Sequence, residues 1–189
     1  MNRYLKILLL GSWIWYLGEG LFGPLYAIFA ERIGGDILEI TGAYALYLIV
    51  MGVLSIYIGK VSDHHSKKRL MIFGYLLNAI ATFGYLLVDN TLKLFVIQGV
   101  LGLAAALASP TWDSLFSDHL DKKHKGQEWG FYEGGPKIIT GVALLSAGLI
   151  LTIINFQTLF IVMGTIQLIA TRDQFQIYII DDNRRHRPG

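Results

Sequence analysis

Long apolar stretches separated by short polar segments dominate this chain. Six of them are long enough to cross a membrane as helices, which takes about 20 mostly apolar residues. Strands are rarely this long, and a backbone in lipid must satisfy its own hydrogen bonds. The pattern therefore predicts an all-α membrane protein with six transmembrane helices, at Ile7–Ala30, Ile40–Ile58, Leu70–Val88, Leu92–Phe116, Trp129–Ile154 and Thr158–Ile180.

The first and the last of these runs each allow two interpretations. Arg3 and Lys6 precede the first run, as in a cleaved signal peptide, but the run is longer than a signal core and favours a membrane helix. In the last run the polar segment 171–174 interrupts the apolar pattern. Either the span continues, with Arg172 and Asp173 paired or reaching the interface, or it ends near Ala170 and an interfacial segment follows.

The distribution of positive charge predicts the orientation of the helices. Lys and Arg accumulate in short cytoplasmic loops. With the N-terminus inside, thirteen of the sixteen Lys and Arg residues fall on one side, Arg32 and Lys93 fall outside, and Lys137 lies within a helix. We therefore expect both termini in the cytoplasm, in a plasma or bacterial inner membrane. The net charge of +2 follows from this topology, and no nucleic-acid partner is expected.

Composition narrows the domain organisation and the chemistry. Hydrophobic residues make up 53% of the chain and charged residues 16%. We expect one transmembrane domain at 1–180 and a basic cytoplasmic tail at 181–189. The sequence contains no cysteine and no CxxC, HExxH, GxSxG or Walker-type motif. It therefore predicts a protein that is not an enzyme and that needs no cofactor or metal.

Among the ionisable residues inside the predicted spans, where charge is costly and usually functional, four stand out. Glu19 lies near the middle of the first span, between two glycines. We expect it to bind a cationic or polar solute or to carry a proton; the alternative is a hydrogen bond between helices. Glu133 and Lys137 are four residues apart and can pair on one helix face as a gate or a structural salt bridge. Asp113 either joins that network or is simply solvated.

Aromatic and small residues in the spans are expected to serve packing. Lipid and interhelix packing is favoured over a binding site for the aromatic residues of the first span, Trp13, Trp15, Tyr16, Phe22 and Tyr26. Gly130 and Gly134 have the G-x-x-x-G spacing of a helix packing face.

A polar turn between the second and third spans carries a recognisable motif. Gly59, Asp63, Lys67 and Lys68 fill the first glycine, the acid and the final basic positions of G-x-x-x-D-R-x-G-R-R/K. This resembles the cytoplasmic loop between the second and third helices of major facilitator superfamily transporters. The positions of its Arg and its second Gly hold other residues here, and an ordinary positive loop is the alternative. A small residue at position 59 is expected to allow close helix approach.

The fourth predicted span is similar to the same family in a second place. Gln98 and Gly102 stand where family members often carry R-x-x-x-G, and small residues follow at 104–106. Gln98 replaces the arginine that the family associates with proton coupling, which puts proton-driven transport in doubt. The small-residue run is expected to pack against a neighbouring helix.

The resemblance implies the N-terminal six-helix half of such a transporter, itself built from two inverted three-helix units. It implies secondary transport of a small solute in a lipid bilayer. Because a half has no closed pathway, we expect a homodimer or a second six-helix half as partner. The alternatives are a non-transporting membrane interaction subunit and a truncated transporter fragment.

Overall fold

The computed structural model describes residues 1–153 and 155–185, and it contains helices and no strand within these residues. A single 3-10 turn at Tyr85–Leu87 follows the fourth helix. The seven α-helices are α1 (Arg3–Gly20), α2 (Leu25–Arg32), α3 (Ile37–Ser62), α4 (Lys67–Gly84), α5 (Thr91–Asp118), α6 (Lys125–Leu151) and α7 (Phe156–Arg185).

The first predicted span is not one continuous helix. Residues 21–24 form a turn between α1 and α2, whose axes differ by 45°. Pro24 caps the start of α2, where its missing backbone N–H costs no helical hydrogen bond. A Cβ at Gly20 would lie 2.8 Å from the Cβ of Ala143, so the glycine before the break lets α6 approach closely. The segment predicted as one helix at Ile7–Ala30 therefore consists of two helices joined by a bend.

Within the described residues, four helices are long and apolar enough to cross a membrane, and the bent pair α1 and α2 makes a fifth if it is one span. The four are α3, α4 with its 3-10 turn, α5 and α6. The last helix, α7, is not among these candidates. The structure therefore supports four or five spanning segments by length and composition, and the number six stays a prediction.

The last helix runs without interruption through the polar segment 171–174. Arg172 is exposed, whereas Asp173 is buried and accepts a hydrogen bond from Gln176 at 3.1 Å. The helix therefore continues past Ala170, and the position at which the membrane span ends stays a prediction. The helix also passes the predicted end at Ile180 and continues to Arg185. Ile154 and the last four residues of the predicted tail lie outside the described residues.

The helix contacts follow a symmetric pattern. The main pairs are α3 with α5, α4 with α5, α1 with α7, α4 with α7, and α1 with α6. When α1 and α2 are counted as one segment, the chain divides into two sets of three segments. In chain order, α1 with α2 corresponds to α5, α3 corresponds to α6, and α4 corresponds to α7. Replacing each segment by its counterpart turns every one of the five contact pairs into another of the five or leaves it unchanged.

Small residues bring three helices into backbone contact. A Cβ at Gly74 on α4 would lie 2.7 Å from the carbonyl oxygen of Ala104 and 2.7 Å from the backbone nitrogen of Ala108, both on α5. A Cβ at Gly102 on α5 would lie 2.7 Å from the carbonyl oxygen of Tyr47 on α3. Residues 104–106 are all buried. The predicted packing role of the small-residue run is confirmed.

Two buried glutamines of α7 fix its register against α1. The side-chain amides of Gln167 and Gln174 donate to α1 carbonyl oxygens at 3.2 and 3.0 Å. Each amide lies directly over a glycine of α1, Gly18 and Gly11 respectively, where a Cβ would collide with it. Both the glutamines and the glycines are seven residues apart, so the same contact repeats after two helical turns.

Three other glycines do not have the predicted role. A Cβ at Gly59, Gly130 or Gly134 would meet no atom within 4 Å among the described residues. The close helix approach expected at Gly59 and the packing face expected at Gly130 and Gly134 are therefore wrong within this bundle. The helix faces that carry them are turned away from the other helices of the chain.

The two ends of the bundle are distinct. At one end Asn2 donates to the carbonyl oxygen of His119 at 3.1 Å, and the Lys67 ammonium lies 3.0 Å from the Asp118 carboxylate. We call this the basic end, because it joins segments that the charge pattern assigns to the cytoplasm. At the opposite end Thr91 donates to Glu39 at 3.0 Å.

A buried carboxylate ties the loop between α5 and α6 to the first residue at the basic end. Glu128 is 1% exposed, accepts a hydrogen bond from the backbone N–H of Asp121 at 2.8 Å and lies 3.6 Å from the Met1 amine. The His124 imidazole, 2.8 Å from the Asp121 carboxylate, holds the pKa of that carboxyl below its usual value. This corner was not anticipated from the sequence.

Candidate functional site

Two cavities lie along the inside of the bundle. The first, of about 590 Å³, lies toward the opposite end and is bounded by α1, α2, α3, α4 and α5. The second, of about 310 Å³, lies toward the basic end and is bounded by α1, α3, α4, α5 and α6. Both fall within or near the size range of small-molecule sites.

Glu19 lies where the two cavities meet. It lines both of them, together with Trp15 and Tyr47. A solute that passed from one cavity to the other would therefore pass this carboxylate. The first and second cavities with Glu19 between them form the candidate site.

Two buried amides hold the Glu19 carboxylate in place. Asn78 on α4 donates to Glu19 Oε1 at 3.0 Å, and Gln167 on α7 donates to the same oxygen at 3.1 Å. Asn78 is 2% exposed and Gln167 is fully buried. The expected hydrogen bond between helices is thus present at Glu19, and it does not remove the side chain from the cavities. Solute or proton binding at Glu19 stays a prediction.

The two residues of the fourth-helix motif have different surroundings. Gln98 is 4% exposed and lines the first cavity. Gly102 lies against the α3 backbone, where its lack of a side chain lets α3 and α5 pack closely. Of these two motif residues, Gln98 is therefore the one placed to contact a solute in the first cavity.

Asp113 belongs to the second cavity. Its carboxylate accepts a hydrogen bond from the Tyr132 hydroxyl at 2.8 Å, and both residues line the cavity. The residue is exposed at the cavity wall. The structure thus connects Asp113 with Glu19 through one cavity, an arrangement that sequence spacing does not reveal.

Glu133 and Lys137 form an ion pair on an exposed face of α6. They line a third cavity, of about 390 Å³, next to the second cavity, with which it shares Tyr16 and Tyr132. The pairing has the predicted geometry. A gating role for this pair stays a prediction.

The aromatic side chains of the first span line the cavities more than expected. Trp15 lines both cavities, Phe22 and Tyr26 line the first, and Tyr16 lines the second. Trp13 instead packs against Gly135 of α6. Phe22 also packs against neighbouring rings in the core. Packing and cavity lining are therefore combined in this segment.

The polar turn of the loop motif lies at the basic end, and its residues line neither of the two cavities. Asp63 caps the C-terminus of α3, and Lys67 begins α4 with an ion pair to Asp118 of α5. The Lys68 ammonium lies 5.6 Å from the centre of the Tyr4 ring of α1. The motif thus connects the ends of α1, α4 and α5.

The cavity walls are open on one side of the bundle. Tyr44 and Leu48 line the first cavity yet are 50% and 49% exposed, and Tyr16 lines the second cavity yet is 43% exposed. Side chains of an enclosed cavity would be shielded. The residues of this chain therefore form only part of the wall around each cavity.

The fold and the site define a helical integral membrane protein with two internal cavities that meet at one central carboxylate. The chain belongs to the Major Facilitator Superfamily, whose family model matches residues 8–187. This assignment agrees with the resemblance found in the loop and fourth-helix motifs.

Individual relatives are distant. The uncharacterized MFS-type transporter MJ1560 of Methanocaldococcus jannaschii is 23% identical over 154 residues, covering 82% of this chain and 40% of that protein. The uncharacterized MFS-type transporter YvkA of Bacillus subtilis is 26% identical, covering 66% of this chain and 28% of that protein. The quinolone resistance protein NorA of Staphylococcus aureus is 22% identical, covering 69% of this chain and 34% of that protein. The chain thus spans less than half the length of these relatives.

Proposed function

We propose that this chain forms one of the two helix bundles of a secondary transporter for a small solute. The observation that carries the proposal is the pair of cavities that meet at Glu19. The first cavity lies toward the opposite end of the bundle and the second toward the basic end. Secondary transporters bind their solute near the membrane midplane and expose it to either side in turn. A carboxylate between two cavities suits such a solute or proton site.

We propose that the bundle has six spans in two inverted three-helix units. The symmetric helix contacts support this division, because each unit makes equivalent contacts with the other. In this arrangement α1 and α2 form one broken span, and α7 forms the sixth. Broken spans are common at transporter binding sites, and here the break at 21–24 adjoins the first cavity.

We propose that a second bundle completes the pathway, supplied by another copy of this chain or by a separate six-helix half. The exposed side chains of the cavity walls support a missing partner on that side. The first matched relative, of which this chain covers 40%, has room for a second bundle of similar size. Residues 1–180 would be the membrane domain in this assembly.

The proposed orientation places the basic end in the cytoplasm of a plasma or bacterial inner membrane. Clustering of the predicted cytoplasmic segments at one end supports a single orientation for all of them. The chain lacks cysteine, so single cysteines can be introduced without a background. A cysteine at Glu31, an exposed residue near the end of α2, is expected to react with an impermeant maleimide only from outside the cell.

A cysteine at His65, in the turn between α3 and α4, is the matched control for this topology prediction. We expect it to react only after the membrane is permeabilised. The reverse pattern at both positions would contradict the proposed orientation, and outside labelling at both would contradict an intervening span.

Alternating access is tested at the two cavities. Thr41 lines the first cavity and Ser109 lines the second, and both tolerate the small change to cysteine. In membranes we expect Thr41→Cys to react from outside and Ser109→Cys from inside. Adding Glu19→Gln, a mimic of the protonated acid, is expected to change the labelling rates of the two cysteines in opposite directions by about threefold or more. The reason is that a transporter moves between two states, and a substitution that favours one state exposes one cavity at the expense of the other.

Two results would contradict the transport proposal. Reaction of both cysteines from both sides would indicate an open pore. If neither cysteine reacted from any side, the bundle would be sealed. That result would favour the alternatives, a non-transporting interaction subunit or a transporter fragment. The topology cysteines serve as the control that the reagent reaches each side.

A further inference from the structure

The charged residues of the two cavities are all acidic. Among the described residues that line them, the only Asp, Glu, Lys, Arg or His side chains are those of Glu19 in both cavities and Asp113 in the second. No Lys, Arg or His contributes to either lining within this part of the chain. The nearest cation in the adjoining third cavity, Lys137, is already paired with Glu133.

Within the described part of the chain, neither carboxylate has a cationic partner. Glu19 accepts hydrogen bonds from two neutral amides, and Asp113 accepts one from a neutral hydroxyl. Some other acidic residues of the bundle are paired with cations, for example Asp118 with Lys67 and Asp89 with Lys93. Asp173 resembles the cavity acids in having an amide partner, but it lines neither cavity.

A carboxylate in a low-dielectric site needs a compensating positive charge or a proton. For Glu19 and Asp113 the described residues supply hydrogen bonds but no such charge. A positively charged solute would supply it, whereas an anion would be repelled by both groups.

The remaining walls favour an apolar or aromatic cation. Trp, Tyr and Phe side chains surround both cavities and can contact a cation through their ring faces. The first cavity is lined by Trp15, Phe22, Tyr26, Tyr44, Tyr47 and Tyr85. The second is lined by Trp15, Tyr16, Tyr47, Tyr75, Trp112 and Tyr132.

We propose that the solute is an organic cation with aromatic or other large apolar groups, and that Glu19 and Asp113 are two successive binding sites for it. Trp15 and Tyr47 belong to both cavities and lie between the two sites. The inference rests on the proposed function, because it takes the two cavities to be the transport path. It adds the charge of the solute and a second binding residue.

The test compares two probes of the same shape and opposite charge, tetraphenylphosphonium and tetraphenylborate. The full chain is reconstituted in lipid nanodiscs, and binding is measured by equilibrium dialysis against empty nanodiscs of the same lipid. We expect saturable binding of tetraphenylphosphonium and only lipid partitioning of tetraphenylborate.

Variants then assign the binding to the two carboxylates. Glu19→Gln and Asp113→Asn are each expected to weaken tetraphenylphosphonium binding by about tenfold or more, the effect of losing one charge-assisted contact. Glu19→Asp keeps the charge and is expected to retain most of the binding. Glu31→Gln, at an exposed carboxylate outside the cavities, is the control and should leave binding unchanged.

The proposal is overturned if both probes bind saturably with similar affinity, if neither binds saturably, or if neither cavity variant weakens tetraphenylphosphonium binding. An effect of Glu19→Gln alone would overturn the second site at Asp113. A thermal transition like that of the parent protein shows that each variant is folded. The cysteine labelling experiment tests transport separately, so alternating access without cation binding would refute only this inference.

Discussion

Replacing Asn78 with Leu is expected to lower the free energy of unfolding by about 1–2 kcal/mol. Replacing both Asn78 and Gln167 with Leu is expected to lower it by about 2–4 kcal/mol in total. The reason is the Glu19 carboxylate, whose Oε1 atom accepts from both amides at 3.0 and 3.1 Å. Leu has nearly the same shape as Asn, so little packing is lost. The measurement is steric trapping of the unfolded state in bicelles.

A double-mutant cycle separates the hydrogen bond from packing. In a Glu19→Leu background no acceptor remains, and we expect the cost of Asn78→Leu to vanish, a coupling of about 1 kcal/mol or more. Thr111→Val is the matched control, because the buried Thr111 hydroxyl only donates to carbonyl oxygens of its own helix. An equal cost of Asn78→Leu in both backgrounds would show that Asn78 acts through packing alone.

Replacing Gly74 with Ala is the second substitution with a large expected effect. The added Cβ would lie 2.7 Å from two backbone atoms of α5 and 3.0 Å from the Cβ of Ala108. Backbone atoms cannot move aside cheaply, so α4 and α5 would have to separate. We expect a loss of about 1–3 kcal/mol in the free energy of unfolding, the usual cost of overpacking.

Gly148→Ala in α6 is the control for this prediction, because its Cβ would meet no atom within 4 Å. Alanine favours helix by up to about 1 kcal/mol over glycine, so this variant should be neutral or slightly stabilised. Unfolding is again followed by steric trapping. If Gly74→Ala were as stable as Gly148→Ala, the close contact between α4 and α5 would be refuted.

The positions of the helices could be predicted from the sequence because long apolar runs and short polar turns depend only on local composition. The break at 21–24 was missed although Pro24 and the neighbouring glycines were visible in the sequence. The uninterrupted course of α7 through 171–174 was only one of two alternatives. At the break the outcome depends on packing between helices, because α6 approaches Gly20 closely. In α7 it depends on burial of Asp173, whose carboxylate accepts a hydrogen bond from Gln176 of the same helix.

The candidate site was predictable in part. Glu19 stands out because a charge within an apolar run is costly, and the structure places it between two cavities. Asn78 and Gln167 were missed, although an amide inside an apolar run is itself a sign of contacts between helices. Which amide meets which carboxylate depends on the rotation and register of three helices, and a single sequence does not contain that information.

The glycines illustrate the same limit. Gly102 and the following small residues pack as expected, whereas Gly59 and Gly130 face away from the other helices of the chain. A motif gives the spacing of small residues but not the side of the helix that the bundle uses. The resemblance to a family supplied the fold here, and the rotation of each helix came from the structure.

The most direct test of the two-bundle account is the mass of the protein complex extracted from its native membrane in polymer nanodiscs, measured by native mass spectrometry with bound lipid subtracted. The account predicts either twice the 21.1 kDa of this chain or one copy joined to a second six-helix chain. A particle that contains one copy and no other protein would contradict it.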